Sequence, residues 1–249
     1  MTAQDTSAQR LSKGETDAEH RQPGRSFAAA GLFSAVLLPG LVLAVSGGLW
    51  TPTTLFALAF HSTALILAQR VFSAGYPHRQ LGLCNIITLG RLTLASALFG
   101  AIFVDDPAIW TVLAIASVAF LLDGADGWLA RRAGLSSTFG AWFDMEVDSA
   151  FALILAVLAV KGGLSPLVLL LGLPRYAFGL AQLVFPVLNG ALPERFSRKV
   201  VCVIQIAALI TLLVPWIAPD LRHLVAGLAG ALVVWSFAID IRTLFRARS

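Results

Sequence analysis

The segment DGADGWLARRAGLSSTFGAWFDMEVD, residues 123–148, places five acidic residues within 26 positions of a strongly apolar chain. The whole chain has 249 residues, of which 57% are hydrophobic and 13% are charged. Average globular domains contain about 25% charged residues. Apolar stretches of about 20 residues, the length of a membrane-crossing helix, recur on both sides of the segment. The sequence therefore predicts an all-α polytopic membrane protein whose carboxylates are concentrated in one place.

Breaks rich in glycine, proline and charged residues divide the chain into about eight predicted transmembrane helices. These helices lie near residues 27–48, 53–73, 84–104, 108–130, 141–160, 165–187, 199–217 and 221–241. The polar segment 1–26 shows no apolar periodicity and is predicted to be a disordered tail. The two cysteines, Cys84 and Cys202, are far apart and indicate neither a disulfide framework nor a zinc site. His61, alone in an apolar helix, is predicted to be a buried residue with satisfied hydrogen bonds.

The 18 lysine and arginine residues are distributed unevenly between alternate loops. The odd-numbered loops contain only Lys161 and Arg222, whereas the tail, the even-numbered loops and the C-terminus contain nearly all the others. This pattern follows the positive-inside rule and predicts that both termini and the acidic segment are cytoplasmic, in what we expect to be a bacterial inner membrane. Topology and contact with anionic membrane lipids therefore explain the net charge of +4, and nucleic-acid binding is not expected.

Four of the five aspartate and glutamate residues of the segment are predicted to face one another. On a helix, Asp123 and Asp126 are about 60° apart, and Asp144 and Asp148 are about 40° apart on the next helix. The short connection predicts antiparallel neighbours, so the two pairs can meet at the cytoplasmic end. Glu146 is about 200° from Asp144 and is predicted to point away.

Four unpaired carboxylates at close range would repel one another, and two divalent cations would neutralise their formal charge. Ligation by carboxylates alone suits Mg²⁺ or Mn²⁺ rather than zinc. Two-metal sites of this kind activate phosphoryl chemistry.

Small and basic residues of the same segment fit a phosphate-bearing ligand. Gly127 would let the backbone approach a bulky group, and Ala130 is also small. Arg131 could bind a diphosphate through two hydrogen bonds. Gly140 precedes the second aspartate pair by one turn and would allow close helix packing.

The spacing Asp123-x2-Asp126-Gly127-x2-Ala130-Arg131-x8-Gly140-x3-Asp144-x3-Asp148 resembles the signature of the CDP-alcohol phosphotransferase family. Upstream, Asn85-Ile-Ile-Thr88-Leu-Gly-Arg91 resembles the opening of the family's first core helix, with Cys84 where a proline often stands. The resemblance implies a six-helix core over residues 80–249. Two additional helices, in residues 27–79, lie outside the part that resembles the family, and the sequence assigns them no role.

The resemblance also implies a reaction, in which a CDP-linked donor transfers its phosphate-bearing group to an acceptor hydroxyl and CMP leaves. CDP-diacylglycerol is the expected donor. Asp123, Asp126 and Asp144 would be ligands of one or two metal ions, and Asp148 would be a ligand or the general base. Contacts to CDP or phosphate are expected from Gly127, Ala130, Arg131, Gly140, Asn85 and Thr88. Family members are often homodimers, so a homodimer is possible by analogy.

Several residues keep two interpretations. Asn85 and Thr88 either cap the start of their helix or contact the nucleotide. Arg175 follows Pro174, which predicts a kink, and forms either a salt bridge to an acidic residue or a contact to a substrate phosphate. The run of Arg195, Arg198 and Lys199 either holds a phosphorylated acceptor or reflects membrane topology.

The acceptor is open, because the motif concerns the CDP end of the donor. Glycerol 3-phosphate, serine and an inositol phosphate are all compatible, as is a small CDP-alcohol donor with diacylglycerol as acceptor. A membrane prenyltransferase is disfavoured, since its Asn-rich or DDxxD motifs are absent. An ion-coupled transporter is the alternative from another class; such proteins often contain internal repeats, and this chain shows none.

Overall fold

The computed structural model of the protein describes residues 3–47, 52–133, 137–190 and 195–246, without the side chains of 3–22, 125–133 and 189. Within these ranges every secondary-structure element is a helix, which confirms the predicted all-α class. The α-helices are α1 (Ala3–Ser46), α2 (Pro52–Gly75), α3 (Leu83–Ala101), α4 (Ile109–Ala133), α5 (Thr138–Lys161), α6 (Leu169–Gly172), α7 (Pro174–Val184), α8 (Phe196–Leu212) and α9 (Pro219–Arg246). Short 3₁₀ turns, Pro166–Val168 and Pro186–Asn189, precede α6 and follow α7.

Four described helices are long and apolar enough to cross a membrane, namely Pro23–Ser46 of α1, α2, α3 and α9. The count is five if α6, with the turn before it, and α7 form one bent span. The expected number of about eight is not confirmed. Helix α8 has only 17 residues, and α5 contains four charged residues. The protein is thus an integral membrane protein.

The prediction of a disordered tail concerns residues 1–26. Helix α1 begins at Ala3, but the side chains before Pro23 lie outside the described part of the chain. The tail therefore remains a prediction.

Helix α3 lies at the centre of the bundle, in contact with α1, α2, α4 and α5. In its most apolar window 61% of the residues are buried, against 22% in α2 and α9. Small residues let its neighbours approach: a Cβ on Gly100 would lie 3.4 Å from the Ala57 and Thr53 side chains of α2. Close packing between small residues is what holds helices together in lipid, where burial of apolar surface gives little driving force.

Helices α1 and α2 are joined to α3 by a buried polar contact. The His61 ring on α2 is fully buried, with Nε2 2.9 Å from Ser34 Oγ on α1 and Nδ1 3.0 Å from Ser96 Oγ on α3. The prediction of a satisfied, buried histidine is confirmed. Since polar groups without partners are costly in a bilayer, this contact favours one arrangement of the two additional helices.

An aromatic cluster links the same two helices to the start of α5. Phe27 of α1 lies 5.0 Å from Phe72 of α2, and 5.6 and 5.8 Å from Phe139 and Phe143 of α5, measured between ring centroids. All four rings are almost completely buried. The first turns of α5, which precede the second aspartate pair, are therefore held by helices outside the predicted core.

The chain bends sharply between α6 and α7. The two helices meet at 71°, and Pro174 is the first residue of α7, so the predicted kink is confirmed. Proline cannot donate a backbone hydrogen bond and its ring clashes with the preceding turn. Gly172, the last residue of α6, packs directly against the α5 backbone, where a Cβ would lie 2.6 Å from Leu153 Cα.

Candidate metal centre

The beginning of α5 fixes the second aspartate pair. Ser137 is the N-cap, and its Oγ accepts a hydrogen bond from the Gly140 backbone N–H at 3.0 Å. Serine is favoured at this position because it satisfies an otherwise unpaired N–H group of the first turn. The helix that follows carries Asp144 and Asp148 on one face, one turn apart.

Helix α4 brings Asp123 to the same place. Oxygen atoms of Asp123, Asp144 and Asp148 all lie within 4.8 Å of one another. Their side chains are 30%, 38% and 39% exposed, so a ligand can reach them. The predicted meeting of the two helices is confirmed for these three carboxylates, which we call the aspartate cluster.

The structure does not describe the side chains of four other predicted site residues of α4. Asp126, Gly127, Ala130 and Arg131 belong to the helix, which continues to Ala133, but their side chains lie outside the described residues. Their roles as ligand or phosphate contacts remain predictions.

Arg91 of α3 pairs with every member of the aspartate cluster. Its Nη2 lies 2.8 Å from Asp123 Oδ1, its Nη1 lies 2.6 Å from Asp144 Oδ1, and Nη2 also pairs with Asp148. The arginine side chain is only 2% exposed. The sequence interpretation of unpaired carboxylates was therefore wrong, because it did not assign this arginine to the site. An arginine inside an apolar helix, in the same stretch as Asn85 and Thr88, was the available signal.

Asn85 and Thr88 are buried, and neither caps α3. The helix begins after Gly82 without a side-chain cap. Thr88 Oγ1 donates to the Cys84 carbonyl at 3.0 Å, and Asn85 Nδ2 donates to Tyr76 Oη at 3.3 Å. The capping interpretation is thus wrong, and a nucleotide contact stays a prediction.

Gly140 allows α5 to approach α3. A Cβ there would lie 3.1 Å from Asn85 Oδ1 and 3.2 Å from Ser137 Oγ. The close helix packing predicted for this glycine is present, and the helix that packs against it is α3. Its contact with CDP is untested.

Glu146 points away from the aspartate cluster, as predicted, and pairs with Arg175 of α7. Each side chain is about one third exposed, at 33% and 35%. Of the two interpretations of Arg175, the salt bridge is present in the structure. A contact from Arg175 to substrate phosphate remains a prediction.

A second ionic group joins α8 to α9. Arg198 forms two contacts with Asp240, Nε to Oδ2 at 3.0 Å and Nη2 to Oδ1 at 3.1 Å, and Arg195 Nη1 lies 3.3 Å from Asp240 Oδ1. The Asp240 side chain is 8% exposed, whereas the arginines are 24% and 33% exposed. Asp240 was not predicted from the sequence as a partner of this basic run. Lys199 follows on α8 and is exposed, and an acceptor contact from these three residues remains a prediction.

The aspartate cluster fits a hard divalent cation. It offers three carboxylate oxygens from two helices, close together and open to a ligand. Carboxylate ligation with room for further oxygen donors is the environment that Mg²⁺ and Mn²⁺ prefer.

Comparison with known proteins gives two matches. The profile of a family described as CDP-alcohol phosphatidyltransferase matches residues 81–239, which include α3 and the acidic segment. The chain is 30% identical over 191 residues to CDP-diacylglycerol–glycerol-3-phosphate 3-phosphatidyltransferase 1, chloroplastic/mitochondrial, of Arabidopsis thaliana. That alignment covers 67% of this chain and 64% of the relative's length. No solved structure matches the chain.

Proposed function

This chain belongs to the CDP-alcohol phosphatidyltransferase family, and we propose that it transfers a phosphatidyl group from CDP-diacylglycerol to an acceptor alcohol with release of CMP. The observation that carries the proposal is the convergence of Asp123, Asp144 and Asp148 from two helices within 4.8 Å. These residues occupy the positions at which the family signature places its aspartates. The enzyme would act in phospholipid biosynthesis.

Glycerol 3-phosphate is the acceptor that we favour. The relative from Arabidopsis thaliana has this molecule in its name. The start of α8 offers Arg195, Arg198 and Lys199, and a phosphate-bearing acceptor would find a cationic surface there. Asp240 already offsets part of this charge, so Asp240 and the phosphate would share the two arginines.

The proposed site would bind Mg²⁺ or Mn²⁺ through Asp123, Asp144 and Asp148, with Asp126 as a fourth proposed ligand. One or two ions would bind, and sequence reasoning favours two. When bound, the cation supplies positive charge that stabilises the donor's diphosphate and the departing CMP. Gly127, Ala130 and Arg131 would border the CDP moiety, together with Asn85, Thr88 and Gly140.

Asp148 is the proposed general base. Its carboxylate would accept the proton of the acceptor hydroxyl, whose oxygen attacks the phosphorus that carries diacylglycerol. The bond from this phosphorus to the CMP oxygen breaks, and CMP leaves with the electron pair. The base must lie within hydrogen-bond reach of the hydroxyl, and the Asp148 side chain is 39% exposed, so a substrate can reach it.

The bacterial inner membrane and the cytoplasmic orientation are also part of the proposal. The orientation depends on the distribution of lysine and arginine between loops. A homodimer is expected by analogy with the family.

The test is CMP release by the purified protein in detergent with CDP-diacylglycerol and Mg²⁺. Glycerol 3-phosphate, serine and an inositol phosphate are supplied one at a time. We expect release with glycerol 3-phosphate, and a loss of roughly 10²–10⁴-fold in Asp148→Asn, the range that removal of a general base gives.

Other outcomes have distinct meanings. Release with a different alcohol would keep the reaction and replace the acceptor. Release only from a small CDP-alcohol with diacylglycerol would reverse the roles of the two substrates. An absence of release with every pair, together with an absence of CMP binding, would contradict the proposed activity and favour an ion-coupled transporter.

A further inference from the structure

Arg91 occupies the centre of the aspartate cluster. It comes from α3, whereas the carboxylates come from α4 and α5, and its two terminal nitrogens contact all three of them. At 2% exposure, it is far more buried than the carboxylates that it contacts. In each of these ion pairs the contacting carboxylate atom is Oδ1.

We propose that Arg91 is a built-in counter-cation of this site, which holds the aspartates together without a divalent cation and weakens the binding of that cation. The inference rests on the proposed function, because it takes the aspartates as metal ligands. It assigns to Arg91 a positioning role that sets how tightly the site binds its ion.

Charge balance supports the first half of the inference. Three carboxylates within 4.8 Å carry a formal charge of −3, and at such distances in a partly buried site their repulsion is poorly screened. Arg91 reduces the formal charge to −2. Without this arginine, the metal-free protein would hold three mutually repelling carboxylates between α4 and α5.

The same charge explains the second half. A divalent cation placed among these oxygens lies close to the guanidinium and is repelled by it. It must also compete with ion pairs as short as 2.6 Å. Removal of Arg91 therefore leaves a more negative site, which binds a cation more tightly although the metal-free fold is less stable.

Arginine suits this role better than lysine. Its planar fork presents several N–H donors, so that Nη1 contacts Asp144 while Nη2 contacts Asp123 and Asp148. A lysine at position 91 would keep the charge as a single point and reach fewer carboxylates. Arg91→Lys should therefore lie between the wild type and Arg91→Gln in both metal-free stability and metal affinity.

The experiment measures Mn²⁺ binding by calorimetry and melting temperature by scanning fluorimetry, with and without EDTA, on the full chain in detergent. Arg222→Gln is the matched control. Arg222 Nη2 donates to the Val214 and Pro215 carbonyls at 2.9 and 2.6 Å, and Arg222 takes no part in the ion pairs described for the aspartate cluster. It lies near the start of α9, about 27 Å along the helix axis from Asp240.

We expect Arg91→Gln to melt at a lower temperature than the wild type in EDTA. Mn²⁺ should raise its melting temperature by more than that of the wild type, because ligand stabilisation grows with affinity. The Mn²⁺ dissociation constant should fall at least about tenfold, as expected from the loss of one nearby unit charge. Arg222→Gln should bind Mn²⁺ as the wild type does.

Weaker or unchanged Mn²⁺ binding in Arg91→Gln, while the wild type binds, would overturn this inference and leave the proposed function intact. An absence of Mn²⁺ binding to the wild type would overturn the metal site of the proposed function and the inference with it. If Arg91→Gln cannot be purified folded, Arg91→Lys decides. A metal-induced shift larger than that of the wild type supports the inference, and an equal or smaller shift overturns it.

Discussion

A single methyl group at Gly172 is predicted to push α6 away from α5 and to impair the site. An alanine Cβ there would lie 2.6 Å from Leu153 Cα, 3.0 Å from Ala156 Cβ and 3.1 Å from the Ala152 carbonyl oxygen. None of these atoms can move by a side-chain rotation, because all belong to the backbone or to Cβ. The clash can therefore be relieved only by a shift of one helix relative to the other.

The size of the shift follows from these distances. Ordinary contact begins at 3.4 Å, so relief of the 2.6 Å approach requires a separation of 0.8 Å. Insertion of a methyl group into packed structure costs about 1–3 kcal/mol. Leu153 follows Asp148 by five residues, about 7.5 Å along α5. Since a misplacement of about 1 Å can cost about 100-fold in rate, we expect CMP release to fall by roughly 10- to 100-fold.

The assay compares Gly172→Ala with Gly179→Ala in melting temperature and in CMP release at saturating Mg²⁺. Gly179 lies in α7, and a Cβ there would meet nothing within 4 Å. Alanine is the better helix former by about 1 kcal/mol, so Gly179→Ala should be as stable as the wild type or more so, with unchanged activity. Wild-type stability and activity in Gly172→Ala would refute the packing argument.

Three further results are expected. Asp240→Asn should destabilise the protein by about 2–4 kcal/mol in a detergent unfolding titration, because it removes the buried charged partner of two arginines. The lower end of this range allows for the partial exposure of the arginines. Wild-type stability would contradict a stabilising ion pair between α8 and α9. His61→Ala should cost roughly 1–3 kcal/mol in the same titration, since it removes the ring that joins α1 and α2 to α3, and an unchanged midpoint would refute this. EDTA should abolish CMP release and excess Mg²⁺ should restore it, whereas full release in EDTA would contradict a metal-dependent site.

The sequence was sufficient to predict the helical class and the convergence of Asp123 with Asp144 and Asp148. Helical periodicity places Asp144 and Asp148 on one face, and the short connection between α4 and α5 predicts that Asp123 comes close to them. The same periodicity correctly directs Glu146 away. These features depend on local spacing, which the sequence displays directly.

The features that the sequence did not predict depend on distant pairings. Arg91 is separated by 53 residues from Asp144 and by 57 from Asp148, and no local pattern connects them. Arg198 and Asp240 are 42 residues apart. Pro174 predicted a kink, but the 71° angle follows from how α6 packs, which residue types alone do not specify. The expected number of about eight spans is not confirmed by the described residues: α8 has only 17 residues, and α5 carries four charged residues, three of them in its first half.

A cation site shared by α4 and α5 is tested most directly by electron paramagnetic resonance of Mn²⁺ titrated into purified protein. Asp123 and Asp144 lie on different helices but contribute oxygens within 4.8 Å of each other. We predict that the wild type binds Mn²⁺, and that Asp123→Asn and Asp144→Asn each weaken binding by at least about tenfold, as expected when one charged ligand is lost. Wild-type Mn²⁺ affinity in either variant would show that the two helices do not share one site.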